Sequence, residues 1–184
     1  MAKDTKKNKI SREALTLRAY LPGDEAAMAE LVAYTLRVSN QSDYAPAYLK
    51  KIAESHSAAY FAERAKDSHF YVICHGSKIV GCGGVTGYRG STDESYLISV
   101  FVHPDYQKKG LGRMILEALE ADENFTRAKR TELASSITAA GFYRKLGYHY
   151  KNGTAEPDGA GVIPMEKYNT DKEGSCKRTG TKDP

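Results

Sequence analysis

The chain has no tryptophan, three cysteines and no apolar run approaching the ~18 residues of a membrane span. Cys74, Cys82 and Cys176 are too few and too scattered for a disulfide framework. The polar N-terminus lacks the apolar region of a secretory signal, so a reducing, cytoplasmic setting is expected. The five histidines have no metal-ligand spacing, and no metal is expected. No repeat or low-complexity block breaks the stretch 13–170. A collagen, a coiled coil, a membrane protein and a wholly disordered chain are thereby excluded. What is present is 184 residues, 41% of them hydrophobic. That length suits one domain, since chains usually divide only beyond ~250 residues.

Charge of one sign is also scarce. The formal net charge of +4 comes from 27 Lys and Arg against 23 Asp and Glu. Residues 1–12 hold five basic and one acidic, 171–184 hold four basic and three acidic, and the body between them stands at −1. Both ends are too polar to order themselves by burial and are expected to be disordered tails. A nucleic-acid protein should carry its basic face on the folded body, so neither nucleic acid nor a membrane is expected as a partner.

Hydrophobic periodicity places the elements of the domain 13–170. Residues 14–20 (ALTLRAY) alternate as a half-buried strand does. Leu21-Pro22-Gly23-Asp24 turns the chain and Asp24 is placed to cap a helix with an apolar stripe at Met28, Leu31, Val32 and Leu36. After a polar, turn-rich stretch 39–48, a second helical region covers 48–66 in one or two pieces. Residues 69–74 and 78–85 read as a hairpin around Gly76-Ser77, which would pair Cys74 with Ile79 and Tyr71 with Cys82. Gly81, Gly83 and Gly84 in its second strand suggest a bulge or a close backbone approach. Residues 96–102 (YLISVFV) are almost wholly apolar, as in a strand buried on both faces. Beyond them follow a helix with Leu111, Met114, Ile115, Ala118 and Leu119 on one face, and a strand at 130–135. A last helix carries Ala139, Phe142, Tyr143 and Leu146 and stops at Gly147, and closing strands run at 148–151 and 162–168. The expected class is α+β: a three-layer α/β/α arrangement around a mixed, mostly antiparallel sheet of about six to seven strands.

The chemistry concentrates where the buried strand runs through His103-Pro104-Asp105-Tyr106 into Gln107-Lys108-Lys109-Gly110-Leu111-Gly112-Arg113 and straight into a helix. A helix N-terminus displays unpaired N–H groups and a partial positive charge, which suits a phosphate or pyrophosphate. Gly110 and Gly112 allow a close backbone approach, and Lys108, Lys109 and Arg113 add positive charge. The segment is neither a GxxxxGK[ST] loop nor a GxGxxG turn.

With these residues in view, the chain resembles the GNAT superfamily of N-acetyltransferases. The family signature Q/R-x-x-G-x-G/A reads Gln107-Lys108-Lys109-Gly110-Leu111-Gly112, preceded by Val100-Phe101-Val102-His103-Pro104 as the fourth strand and its exit. Lys78-Ile79-Val80-Gly81 fits the third strand, and Ala139-Ala140-Gly141-Phe142-Tyr143-Arg144-Lys145-Leu146-Gly147-Tyr148 resembles the helix A-x-x-x-Y-x-K-x-G-F. The matches fall in family order across 14–168.

The resemblance implies acetyl-CoA as co-substrate and no metal. Gln107 and the backbone from Lys108 through Lys109, Gly110, Leu111 and Gly112 to Arg113 would hold its pyrophosphate. Val100, Phe101 and Val102 would pair with the pantetheine arm where the fourth and fifth strands splay, commonly at a bulge, and an amide there would stabilise the oxyanion. Ser136 and Ala139 would flank the arm; Ser136 stands where many members have Asn, seven residues before the tyrosine. A hydroxyl can cap the helix but lacks an amide's reach. Tyr143 matches the usual general acid, and Glu94, beside Asp93, stands about where members carry a carboxylate base. His103 is a second candidate base by chemistry, though at the phosphate end. Cys82 lacks a paired base, so direct attack in a ternary complex is expected rather than an acetyl-cysteine.

The acceptor is expected between 37–48, with Tyr34, Tyr44 and Tyr48 nearby, and the late loop 153–164. A small-molecule amine or amino acid is favoured over a protein N-terminus or lysine, and over a non-catalytic acyl-CoA sensor. A homodimer is compatible with the chain.

Overall fold

The computed structural model describes residues 15–169, so both polar tails, Ala14 and Cys176 lie outside the described residues. In chain order the elements are β1 (Leu15–Ala19), α1 (Glu25–Ser39), α2 (Pro46–Ser55), α3 (Ala58–Arg64), β2 (Ser68–His75), β3 (Lys78–Gly87), β4 (Glu94–Val102), α4 (Leu111–Ala121), α5 (Glu123–Thr126), β5 (Arg130–Ser135), α6 (Ile137–Arg144), β6 (His149–Tyr150) and β7 (Ile163–Tyr168). The strands form one seven-stranded sheet in the order β1-β2-β3-β4-β5-β7-β6. Every neighbouring pair is antiparallel except β4 with β5, which are parallel. The expected three-layer, mostly antiparallel architecture is the one present.

Each face of the sheet carries its own core. The α1 stripe Met28, Leu31, Val32 and Leu36 packs with Leu49, Phe61, Phe70 and Val72 on one face. On the other, Leu111, Ile115, Leu116 and Leu119 of α4 meet Ile73, Val85, Leu97, Leu133 and Met165. Burying a side chain of this size contributes about 1.5–3 kcal/mol, so the two stripes hold the helices to the sheet. The central strand β3 lets both layers come close. A Cβ at Gly83 would lie 2.5 Å from Ile115 Cγ2, and one at Gly84 would lie 2.6 Å from the Phe70 ring.

Several local expectations are corrected. Asp24 sits at the N-cap of α1 but does not cap with its side chain. Its carboxylate is taken by the Arg18 guanidinium at 2.7 and 2.9 Å and by the Leu21 N–H, which holds it below the usual range. In the hairpin Cys74 does pair with Ile79, but a register shift next to Ile73 puts Val72, not Tyr71, opposite Cys82. Both thiols are buried and free. α5, only four residues long, was not foreshadowed by any apolar period.

Candidate active site

β4 is not buried on both faces as expected: on one face Ser95 and Leu97 are enclosed, whereas Glu94, Tyr96 and all of Ile98–Val102 are half-buried. Beyond Leu97 the cause is a bulge. Ser99 and Val100 together lie opposite the single residue Gly83, and Ser99 takes a φ of 51°, unusual for a residue with a side chain. An extra residue bends a strand away from its neighbour. Pairing with β5 accordingly runs from Glu94–Arg130 to Leu97–Leu133 and stops there. Beyond that point the two parallel strands diverge, and the free edge of β4 becomes one wall of a cleft of about 1000 Å³.

At one end of this cleft the β4–α4 connection turns on two left-handed residues, Lys108 (φ 59°) and Gly110 (φ 91°). Gly110 is the N-cap of α4 and offers no side-chain cap, so the first N–H groups of the helix are left to a ligand. Gly112 is needed for packing: a Cβ there would meet the Phe142 ring at 3.0 Å. Gln107, Lys108, Gly110, Gly112 and Arg113 line the cleft. Gln107 closes its floor, donating from Nε2 to Ser39 Oγ at 2.9 Å and to the Val102 carbonyl at 3.0 Å. Leu111 is buried in the core and offers its backbone alone, the part the expectation invoked; one member of the set, Lys109, is placed differently. The Lys109 ammonium turns back to the Asp105 carbonyl at 2.5 Å and over the Tyr106 ring. Lys145, just past α6, lines the cleft in its stead. The cationic group is therefore Lys108, Arg113 and Lys145, the last being the lysine of the A-x-x-x-Y-x-K-x-G-F match, to which the sequence assigned no charge at this end.

Further along, Val100, Phe101 and Val102 form the β4 wall, and Ser136, Ala139 and Tyr143 the opposite one. Ser136 caps α6, its hydroxyl accepting from the Ala139 N–H at 3.2 Å. Tyr143 is buried, packed against Phe142 and Tyr148, and burial pushes its phenol well above the ordinary value. Such a phenol stays protonated at neutral pH and can act only as an acid.

The far end of the cleft is walled by rings: Tyr44, Tyr48, His56, Tyr60 and Tyr96. Tyr44 and Tyr48 stack on each other, Tyr44 accepts from the Ile137 N–H, and Tyr48 donates to the Ala160 carbonyl at 2.6 Å. Gly161 lies against both rings, so the late loop is fastened over this end. Tyr34, expected here, instead stacks on His103 outside the cleft. His103 itself has Nε2 3.1 Å from the Lys78 ammonium; burial and that neighbour lower its pKa.

Glu94 does not line the cleft. Its carboxylate receives two hydrogen bonds from Arg130, at 2.9 and 2.5 Å, because β4 and β5 pair the two residues directly. The same guanidinium also meets Glu132 and Glu166. Glu94 thus belongs to an ion cluster in the sheet and stands apart from the residues that line the cleft. Cys82 is fully buried, its thiol pushed up to about 12 and donating to the Ser99 carbonyl. It is no nucleophile. His56, Tyr60 and Tyr96 were not singled out from the sequence. Their one local hint is the four-residue spacing of His56 and Tyr60, which is common in any helical region.

The chain is similar to solved acetyltransferase structures. A PaiA N-acetyltransferase from Thermoplasma acidophilum, solved in complex with coenzyme A, superposes with a TM-score of 0.70 at 17% identity, covering 84% of this chain and 98% of that one. A GCN5-related N-acetyltransferase from Rhodopseudomonas palustris gives 0.67 at 24%, covering 83% and 94%. At these identities the likeness is one of fold. A curated relative, the ribosomal protein bS18-alanine N-acetyltransferase of Salmonella typhimurium, is 43% identical over 61 residues, which is 31% of this chain and 40% of that protein. The family model described as "Acetyltransferase (GNAT) domain" matches residues 38–169, and by that match the chain belongs to the GNAT acetyltransferases.

Proposed function

We propose that this protein is an N-acetyltransferase that moves the acetyl group of acetyl-CoA to a small primary amine by direct attack in a ternary complex. The observation that carries the reading is that Tyr143 and the free edge of β4 at 98–102 line one cleft. The residues present suit acetyl-CoA. Its amide-bearing arm can complete the unpaired strand edge as an added strand would. Its pyrophosphate suits the uncapped N-terminus of α4 beside Lys108, Arg113 and Lys145. When bound, acetyl-CoA supplies a thioester open to attack. An N–H of 100–102 stabilises the developing oxyanion, and Tyr143 protonates the departing thiolate. The thiol of Cys82 is too deeply buried for an acetyl-cysteine route.

The acceptor end supports a small amine. A peptide needs an open groove for the residues that follow its N-terminus, and here the Tyr48–Ala160 bond and Gly161 bridge the space between α2 and the late loop. Among the described residues no Asp or Glu lines the walls themselves; Asp43 and Asp158 stand just outside them, close enough to add to burial in raising the Tyr44 and Tyr48 phenols. The test is thiol release from acetyl-CoA by the full chain against a panel of small amines and peptide N-termini, with mass spectrometry of the products. Release with a small amine is expected. Release with peptides alone would transfer the reading to a protein acceptor, and tight acetyl-CoA binding without release would make the protein a sensor.

A further inference from the structure

We propose that His56 is the catalytic base of the cleft, taking the proton from the acceptor's ammonium before attack. The inference rests on the acetyl-transfer reading above and names a residue for a step which that reading leaves unassigned. An ammonium has no lone pair, so an amine that binds in its charged form needs a proton acceptor within the cleft. Among the described residues no Asp or Glu lines the walls, and the other ionisable side chains there are phenols and cations. Glu94 is held by Arg130. Among the described lining residues, His56 is the one neutral base.

Its geometry suits the role. His56 lies at the C-cap of α2, where its Nδ1 sits 2.9 Å from the Ile52 carbonyl and 3.2 Å from Ser55 Oγ. A carbonyl oxygen can only accept, so Nδ1 carries the proton and the neutral ring presents its lone pair at Nε2. The ring is held by Tyr60 and Phe61 of α3, at 5.0 and 6.2 Å, and by Phe101 of β4 at 5.8 Å. Phe101 belongs to the free edge of β4, and Tyr60 reaches the bulge itself, 3.4 Å from Ser99 Oγ. The imidazole is therefore fixed to the strand that forms the cofactor wall. Among the described residues, the one ionisable group in ring or hydrogen-bond contact with the imidazole is the Tyr60 phenol, and what acts on its charge is its burial and the Ile52 carbonyl. Burial lowers its pKa below the ordinary 6.5, so His56 is neutral at physiological pH and ready to accept.

The protons balance. His56 Nε2 takes one proton from the ammonium and passes it to solvent after turnover. The amine nitrogen attacks the thioester carbon, the C–N bond forms and the C–S bond breaks. The leaving thiolate takes the Tyr143 proton, and the second proton shed by the nitrogen restores Tyr143. One proton is released for each amide made.

The test compares His56→Gln and His56→Ala with the wild type in the full chain. In the wild type kcat/KM should fall as pH drops through the His56 pKa, below 6.5. His56→Gln should lose about a hundredfold in kcat at pH 7 and replace that limb with a rise toward the amine's own pKa, with acetyl-CoA affinity unchanged. Imidazole in solution should restore part of the His56→Ala rate, which a merely structural cap would not allow. Nitrogen NMR of the wild type should find the Nδ1-protonated tautomer. Wild-type rate and pH limb in His56→Gln, or an Nε2-protonated tautomer, overturns the proposal while leaving acetyl transfer standing. A wild type that releases no thiol with any amine overturns the acetyl-transfer reading instead.

Discussion

The two ends of the cleft are built by different means. The phosphate end is made of backbone: a bulge at Ser99, left-handed Lys108 and Gly110, and the uncapped start of α4, all within fifteen residues of one another. The far end is made of side chains. Its rings come from the turn before α2, from α2 and its C-cap, and from α3 and β4, and its roof is a loop joined to α2 through a hydrogen bond spanning 112 positions. A backbone site recognises what every acetyl-CoA presents, amides and phosphates, and tolerates change in the side chains around it. A side-chain site recognises what is particular to one acceptor. Mutations should therefore separate the two: alterations of backbone conformation should weaken acetyl-CoA, and alterations of the rings should weaken the acceptor.

The largest effect is expected where the ends meet. Tyr143→Phe should lower kcat by about a hundredfold with acetyl-CoA affinity unchanged in calorimetry, because the acid is lost while the packing of the ring remains. Near-wild-type turnover would remove Tyr143 from the chemistry. At the phosphate end, Gly110→Ala forces a Cβ into the left-handed region at a cost of about 1–2 kcal/mol. Displacement of the loop should then weaken acetyl-CoA roughly tenfold with little change in the acceptor KM. An altered acceptor KM with unaltered acetyl-CoA affinity would break the proposed division. At the acceptor end, Tyr48→Phe removes the bond to Ala160, worth about 0.5–1.5 kcal/mol, and should raise the acceptor KM roughly threefold to tenfold while leaving acetyl-CoA binding alone. The smallest effect on activity belongs outside the cleft. Glu94→Gln should leave kcat and its acid limb unchanged and lower stability by about 1 kcal/mol in denaturant titration, since Arg130 keeps Glu132 and Glu166 as partners. Loss of the acid limb in that variant would restore Glu94 as the base.

The same division explains what could be read before the fold was seen. The β4–α4 connection was readable because its function lies in consecutive backbone angles, and glycines at 110 and 112 mark those angles locally. Gly81, Gly83 and Gly84 likewise announced close packing, which Ile115 and Phe70 supply. Charge was harder. A run of three cations predicted Lys108, Lys109 and Arg113 as one group, yet a long side chain is free to turn, and Lys109 turned to Asp105. Glu94 stands at the start of β4 as expected, but its partner across the sheet is set by the β4–β5 register, which places Arg130 directly opposite. His56 carries no distinctive local signal beyond its spacing from Tyr60, because its tautomer depends on the Ile52 carbonyl and its surroundings on Phe101, 45 positions away.

The amino-acid sequence by itself determined the order of the strands and of every helix but α5, the glycine-thinned strand β3, and the glycine-bearing helix start at Gly110. These follow from short-range sterics and hydrophobic period, which act between near neighbours in the chain. Only the tertiary structure decided which side chains share the acceptor end, that the late loop is tied to Tyr48, and that Glu94 is neutralised in the sheet while His56 is held beside β4. Those outcomes depend on contacts between distant segments, and a contact of that kind exists only once both cores have closed.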